Sequence, residues 1–198
     1  MKPWPFGELK TFGYDLIMAD PPWPFEHRSE RGEEKSFKRH YGEMPMADIR
    51  AMRVSELAIA PAVLFLWCTS PRMSEAYDVV EAWGFRYGFT GTWVKLTAHD
   101  KIAFIPGYTN RGGAEYFIVG LLGRPDIAGA KARNVIFGKV REHSRKPEEA
   151  YAWCEAYLPG ALRRVELFSR ASRPGWDTWG HEAGKFDPVV SLQAPEAS

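Results

Sequence analysis

Tyr14-Asp15-Leu16-Ile17-Met18-Ala19-Asp20-Pro21-Pro22-Trp23 is an apolar run that ends in an acid, two consecutive prolines and an indole. A short continuous run of Tyr, Leu, Ile and Met reads as a strand buried on both faces, and a proline pair must end its hydrogen-bond ladder. Asp20 therefore stands at the carboxyl end of a strand. In an open α/β sheet, that is the edge where ligands bind.

Such a corner suits a planar base that carries an exocyclic amino group. Pro21 and Pro22 have nearly fixed φ and no N–H, so the turn holds its carbonyl oxygens with little conformational freedom. Asp20 would accept one amino hydrogen, the Pro21 carbonyl the other, and Trp23 would offer a face for stacking. Acceptors placed where positive charge develops favour attack by an amino nitrogen. The plainer alternative is a strand followed by a rigid turn, with Asp20 as a helix cap.

Working outward, residues 1–13 read as an ordered extended arm, because Trp4 and Phe6 would be awkward in a free tail. Residues 24–43 keep neither strand nor helix period and read as a long polar loop of the kind that often carries function. Met46, Ile49, Met52 and Leu57 predict an amphipathic helix over 46–57. Ala62 to Trp67 predicts a buried strand, and Pro71 to Gly84 a helix with Met73, Ala76, Tyr77, Val80 and Trp83 on one face. Residues 85–95 have strand character, so strand, helix and strand imply a parallel crossover. An irregular stretch at 96–113, with His99 at the surface, precedes a strand at 115–120. A modest basic segment, Gly123 to Gly138, leads to a helix from about Pro147 to Leu158, which Ser144 could cap. Arg163 to Phe168 is the last clear strand. It carries no G-x-G-x-x-G, the fingerprint expected of a dinucleotide enzyme.

Asp-Pro-Pro-Trp resembles the signature of amino methyltransferases. The chain as a whole is similar to the MT-A family of N(6)-adenine methyltransferases. The resemblance also runs through His40-Tyr41-Gly42-Glu43-Met44, Leu64-Phe65-Leu66-Trp67, Glu81-Ala82-Trp83-Gly84-Phe85, Trp93-Val94-Lys95, His143-Ser144-Arg145-Lys146-Pro147, Glu166-Leu167-Phe168 and Arg173-Pro174-Gly175-Trp176-Asp177-Thr178-Trp179-Gly180. It spans roughly residues 12–182 and implies a Rossmann-like α/β, S-adenosyl-L-methionine-dependent methyltransferase fold with permuted motif order, catalytic motif first and cofactor motif second.

The resemblance also implies roles. Asp20, Pro21, Pro22 and Trp23 form the catalytic corner, and Asp20 also faces the cofactor. Tyr41, Trp93 and Glu115 lie near the target base; a core indole and an exposed strand-end acid are the alternatives for the last two. Lys146 would hold the methionine carboxylate of the cofactor, Phe168 would line its loop, and Arg170 would reach its ribose or carboxylate. Many relatives have Gly-Asn before an acid or amide where this chain has Gly180-His181-Glu182. His181 can still donate or accept a hydrogen bond, and Glu182 becomes the first choice of ribose ligand.

The 198 residues, 45% hydrophobic and 14% aromatic, suit one domain over 1–182 with a tail at 183–198. Twenty-six Lys and Arg against 25 Asp and Glu exclude a global basic footprint, so nucleic-acid contact must come from a local patch. Cys68 and Cys154 have neither zinc nor redox spacing and read as reduced core thiols. No run of eighteen apolar residues occurs, and a cytoplasmic protein without a membrane partner is expected. The expected activity is methyl transfer to the 6-amino nitrogen of adenine, with DNA as first substrate and RNA as second; no metal is required. A homodimer or heterodimer, and a non-catalytic nucleic-acid-binding subunit, are alternatives that the resemblance leaves open.

Overall fold

A computed structural model describes residues 3–24, 43–105, 111–128, 132–141 and 145–187. Tyr41, Ser144 and nearly all of the 24–43 loop lie outside them.

The described residues form a mixed α/β fold around a seven-stranded sheet. The strands are β1 (Tyr14–Ala19), β2 (Ala58–Cys68), β3 (Arg86–Leu96), β4 (Ala114–Leu122), β5 (Val135–Lys139), β6 (Arg164–Leu167) and β7 (Trp176–Trp179). Their order across the sheet is β5-β3-β4-β2-β1-β6-β7, and β1 lies parallel between β2 and β6. The two strands flanking the expected crevice, at 14–19 and 163–168 in sequence, are therefore neighbours.

Period-two alternation sorts the central strands into two cores. Ile17 and Ala19 of β1 with Leu64 and Leu66 of β2 face one side, while Leu16, Met18, Phe65 and Trp67 face the other. The first side is covered by α1 (Met46–Ala51) and α2 (Met73–Ala82), the second by α3 (Glu148–Tyr157). This explains why β1 and β2 read as continuous apolar runs rather than alternating ones. The N-terminal arm packs as expected. Phe6 is fully buried, its ring 5.2 Å from those of Trp4 and Trp179.

Two expectations are corrected, and the parallel crossover is met with an inserted strand. The helix over 46–57 stops at Met52, whose ψ of 134° leaves helical space, and a 3-10 turn at Val54–Glu56 follows. In one continuous helix Val54 would stand about 140° around the axis from Ile49; the break lets both be fully buried. The crossover from β2 through α2 to β3 keeps the two strands parallel, but they are not neighbours. β4 sits between them, antiparallel to both. Finally, β6 is not the last strand, because β7 pairs beside it in parallel.

Residues 183–187, read from sequence as the start of a tail, fold back on the β6–β7 loop. Phe186 donates its backbone N–H to the Arg170 carbonyl at 3.0 Å, and Asp187 Oδ1 accepts from the Ser172 N–H at 2.6 Å. No helix among the described residues is long and apolar enough to cross a membrane.

Candidate active site

The topology gathers chain ends at one edge. β1, β2, β3, β5, β6 and β7 run the same way, so their carboxyl ends share an edge, and the reversed β4 begins there. Asp20 follows β1, Lys95 is the penultimate residue of β3, Glu115 the second of β4, and Lys146 immediately precedes Pro147, the residue that caps α3. Four side chains distant in sequence meet as a row of alternating charge. Lys146 Nζ lies 3.1 Å from Asp20 Oδ2 and also donates to Glu115 Oε1, while Lys95 Nζ lies 2.8 Å from Glu115 Oε2. The Lys146 ammonium also sits 5.1 Å over the Trp67 ring, a cation–π contact.

Side-chain exposure is 8% for Lys146, 12% for Glu115 and 22% for Asp20, so little water screens the row. Burial would pull the Lys146 ammonium down, but Asp20 and Glu115 outweigh it and hold its pKa above the ordinary lysine value. Burial would likewise raise Glu115, yet Lys146 and Lys95 keep it below the ordinary carboxylate value. Asp20 goes the other way: burial, with Glu115 adding, holds it above its ordinary value against the pull of Lys146. Of the two acids, Asp20 is the one closer to taking a proton.

The corner itself is rigid. Trp23 donates its backbone N–H to the Pro21 carbonyl at 2.8 Å, the Pro22 carbonyl accepts from Met44 at 2.9 Å, and Arg72 Nε donates to the Pro24 carbonyl at 2.9 Å. The Pro21 carbonyl thus already accepts once and has one lone pair left for a ligand. Trp23 departs from the expected open stacking face. Its indole is 5% exposed, belongs to the core, and ties the turn to β2 by donating Nε1–H to the Trp67 carbonyl at 3.0 Å. Trp93 is likewise a core indole, 2% exposed, with Nε1–H on the Gly138 carbonyl at 2.9 Å. Its place two residues before Lys95 puts both on one face of β3, where the Lys95 ammonium lies 4.9 Å over its ring.

Beside this row is a cavity of about 230 Å³, lined by Asp20 and Lys146 and by side chains of α3 and the β6–β7 loop. Phe168 and Arg170 line it too. Phe168 turns the chain out of β6 with φ at 63°, a conformation that costs a non-glycine residue energy and needs support from its surroundings. Gly180, the residue just after β7, permits that support. A Cβ there would stand 2.9 Å from the Ser169 carbonyl oxygen and 3.0 Å from Phe168 Cα, so the two segments approach only because the side chain is missing. Glu182 is not a lining residue but pairs with Arg170 at 3.9 Å; His181 is exposed and does not line the cavity.

Sequence reasoning missed several lining residues. Glu166, 8% exposed, accepts from the Tyr151 hydroxyl at 2.9 Å and the Ser169 hydroxyl at 2.9 Å. Burial pushes its carboxyl up despite those bonds. An acid inside the strand Arg164–Leu167 was the available signal. Arg141, Glu148 and Arg173 also line the cavity, and Glu148 links the two arginines, one through each carboxylate oxygen. Arg173 lies 3.7 Å over the Tyr151 ring. Nothing in their spacing announces that meeting.

Residues 14–182 match the family model described as MT-A70. The chain is 32% identical over 178 residues to an N(6)-adenosine-methyltransferase MT-A70-like protein of Arabidopsis thaliana, a match covering 88% of this chain and 24% of that one. It is 28% identical over 195 residues to the type II methyltransferase M.MunI of Mycoplasma sp, covering 89% of this chain and 81% of the relative. Against the human N(6)-adenosine-methyltransferase catalytic subunit METTL3, identity is 29% over 174 residues, covering 85% and 28%. The chain thus spans about a quarter of the length of these two adenosine methyltransferases and most of the length of M.MunI.

Proposed function

Because the chain belongs to the MT-A70 family, we propose that it is an S-adenosyl-L-methionine-dependent methyltransferase acting on the 6-amino nitrogen of adenine, with the catalytic motif preceding the cofactor motif. The observation that carries this reading is the Asp20–Lys146–Glu115 row at the sheet edge beside the cavity. The donor set fits the cofactor: Asp20 and Glu166 can accept from an ammonium or ribose hydroxyls, cations can take a carboxylate, and Phe168 gives an apolar wall. When bound, S-adenosylmethionine supplies an electrophilic methyl group on sulfur.

The chain's own residues orient and stabilise. The rigid Asp20-Pro21-Pro22 turn holds the Asp20 carboxylate and the second lone pair of the Pro21 carbonyl towards the amino group. Asp20 stabilises positive charge on that nitrogen as it develops, an effect worth about 10²–10³ in rate for one well-placed group. Its raised pKa suits it to hold the proton that the methylated nitrogen releases. Glu115, kept ionised by two lysines, fixes the position of Lys146. On the cofactor side, Lys146, Phe168 and Arg170 retain the roles that the family likeness gives them. Glu182, paired with Arg170 at 3.9 Å, is kept as the first choice of ribose ligand, and His181 as a side chain that can donate or accept a hydrogen bond to the cofactor. For a base in duplex nucleic acid, reaching this pocket requires flipping out of the stack.

DNA is the first substrate we propose and RNA the second. The relative of comparable length is a type II methyltransferase, whereas the two adenosine methyltransferases are matched over about a quarter of their length. Methyl transfer from labelled S-adenosylmethionine to matched single-stranded DNA, duplex DNA and RNA tests this. Label on adenine in DNA above RNA is expected. Label on RNA alone would reverse the substrate order, and cofactor binding without transfer to any polymer would point to a subunit that needs a partner.

A further inference from the structure

β4 serves two faces of the sheet. Glu115 joins the charged row, and its neighbours Ala114 and Tyr116 take the opposite face, because side chains alternate along a strand. On the β3–β5 half of the sheet that opposite face is uncovered. Trp93, Phe117 and Ile136 lie under α3 in the second core, whereas α2, on the other side, reaches β3 at Thr90, whose hydroxyl shares a hydrogen bond with that of Tyr77 at 3.0 Å. Beyond Thr90, three cross-strand rows continue towards the edge that carries the site. Thr92 stands between Tyr116 and Val135, and Val94 between Ala114 and Phe137. In the last row Leu96 stands between Ile102 and Lys139. Val135, Phe137 and Ile102 are 38%, 60% and 67% exposed, so among the described residues no element packs over these rows. Phe104, 73% exposed, extends the patch from the β3–β4 connection, with the Arg111 guanidinium 5.1 Å over its ring.

Charge and size select the occupant. Lys101, Arg111 and Lys139 stand along the site end of the patch against one acid among the described residues, Asp100, which pairs with Lys139 at 3.2 Å. This is the local basic patch that a chain of net charge +1 needs in order to hold a polyanion. A second copy docked by twofold symmetry would press one such positive rim against another. Neighbouring strands lie about 4.8 Å apart and same-face residues about 6.7 Å apart along a strand, so three strands by three rows measure about 10 by 13 Å. That is far below the roughly 800 Å² per partner of a stable protein interface. Sheet faces with exposed aromatic rings do, however, stack about two or three bases in single-strand-binding domains.

Resting on the adenine methyltransferase reading above, we propose that this sheet face is a stacking platform for the single strand that flanks the target adenine. Phe104 and Phe137 stack on its bases, and Lys101, Arg111 and Lys139 hold its phosphates. Ala114 on the platform and Glu115 in the charged row are consecutive, so a strand lying on the platform brings its next base to the edge where Asp20 stands. A duplex must open to lie there, which makes single-stranded polymer the better ligand.

The test is fluorescence anisotropy with the full-length protein and a short labelled single strand containing one adenine, made as DNA and as RNA. Phe104→Ala and Phe137→Ala should each weaken binding about five- to a hundredfold, the size of one lost base–aromatic stack. Phe137→Tyr should restore binding and Phe137→Leu should not, since leucine keeps apolar area but has no ring face. Lys101→Gln should weaken binding at low salt and flatten its salt dependence. None of these residues lines the cavity, so S-adenosylhomocysteine affinity, measured by calorimetry, should stay unchanged in every variant. Wild-type affinity for the strand in both alanine variants, or leucine serving as well as tyrosine, would overturn the platform and leave the methyltransferase reading standing. A wild-type dimer in sedimentation that Phe137→Ala splits into monomers would also overturn it, giving the face to a second copy. Wild-type protein that binds S-adenosylhomocysteine but neither polymer would instead sink the polynucleotide reading on which the platform rests.

Discussion

Asp20 Oδ2 and Lys146 Nζ lie 3.1 Å apart, although one side chain follows β1 and the other precedes α3, 126 positions later in the chain. Their pairing joins the catalytic corner to the cofactor cavity, because both residues line it. Glu115 completes the arrangement from β4 on the other side of Lys146.

Lys146→Met should be strongly destabilising. It leaves the buried Asp20 and Glu115 carboxylates without their shared partner, and removing one member of a buried pair costs about 3–5 kcal/mol. Urea unfolding monitored by tryptophan fluorescence would measure it. Adding Asp20→Asn and Glu115→Gln to the same chain should recover part of the loss; a triple variant no more stable than the single one would refute this electrostatic origin.

The pH dependence should have an acid limb set by Asp20. Its carboxyl is held above the ordinary value, so protonation removes the acceptor at a higher pH than for an exposed aspartate, and transfer falls as pH drops through that point. Stability responds with opposing signs. The raised Asp20 contributes stability below its unfolded pKa and loses it as pH rises. The depressed Glu115 and Glu148 contribute above theirs and lose it as pH falls. A rate profile therefore reports Asp20 more cleanly than a melting curve does. An acid limb at the position expected of an exposed carboxylate would contradict the burial argument.

Gly180→Ala should damage the cofactor loop. The added methyl would press on the Ser169 and Phe168 backbone at 2.9–3.0 Å, where no flexible side chain can move aside. A cost of about 1–3 kcal/mol is expected for such overpacking, read as weaker binding of S-adenosylhomocysteine together with a lower unfolding midpoint. Unchanged binding and stability would show that the β6–β7 approach is looser than described.

Neither cysteine should react while the protein is folded. Cys68 and Cys154 are each 1% exposed, and burial pushes the Cys68 thiol up to about 12 and Cys154 well above its ordinary value. Iodoacetamide at pH 8 should modify both only after denaturation. Rapid labelling of Cys68 in native protein would mean that the edge beside Asp20 opens readily.

How much could be read beforehand follows from the physics of each segment. β1 was legible because a strand covered on both faces reads as a nearly continuous apolar run, and the acid and prolines fixed where it ended; β6, Arg164–Leu167, alternates charged and apolar residues and was marked by Val165, Leu167 and Phe168 after the Pro159-Gly160 break. β5 and β7 were not: five and four residues, half of them exposed or polar, give too little period to recognise. Lys146 and Asp20 could be named from the family likeness. The Glu115–Lys95 pair could not, since it depends on β4 entering between β2 and β3 in reverse, and register between distant strands is not written in local pattern. Trp23 and Trp93 show the same limit. An indole beside a site is equally compatible with stacking on a ligand and with packing under it, and only the three-dimensional arrangement gave both rings to the core.

The most direct measurement is single-turnover methyl transfer by Asp20→Asn at saturating S-adenosylmethionine, using whichever polymer the wild-type protein labels. The substitution keeps shape and one acceptor oxygen but removes the charge. A rate lower by about 10²–10³ is expected if Asp20 stabilises the developing charge on the amino nitrogen. A rate equal to that of the wild type would contradict the central role given to this carboxylate.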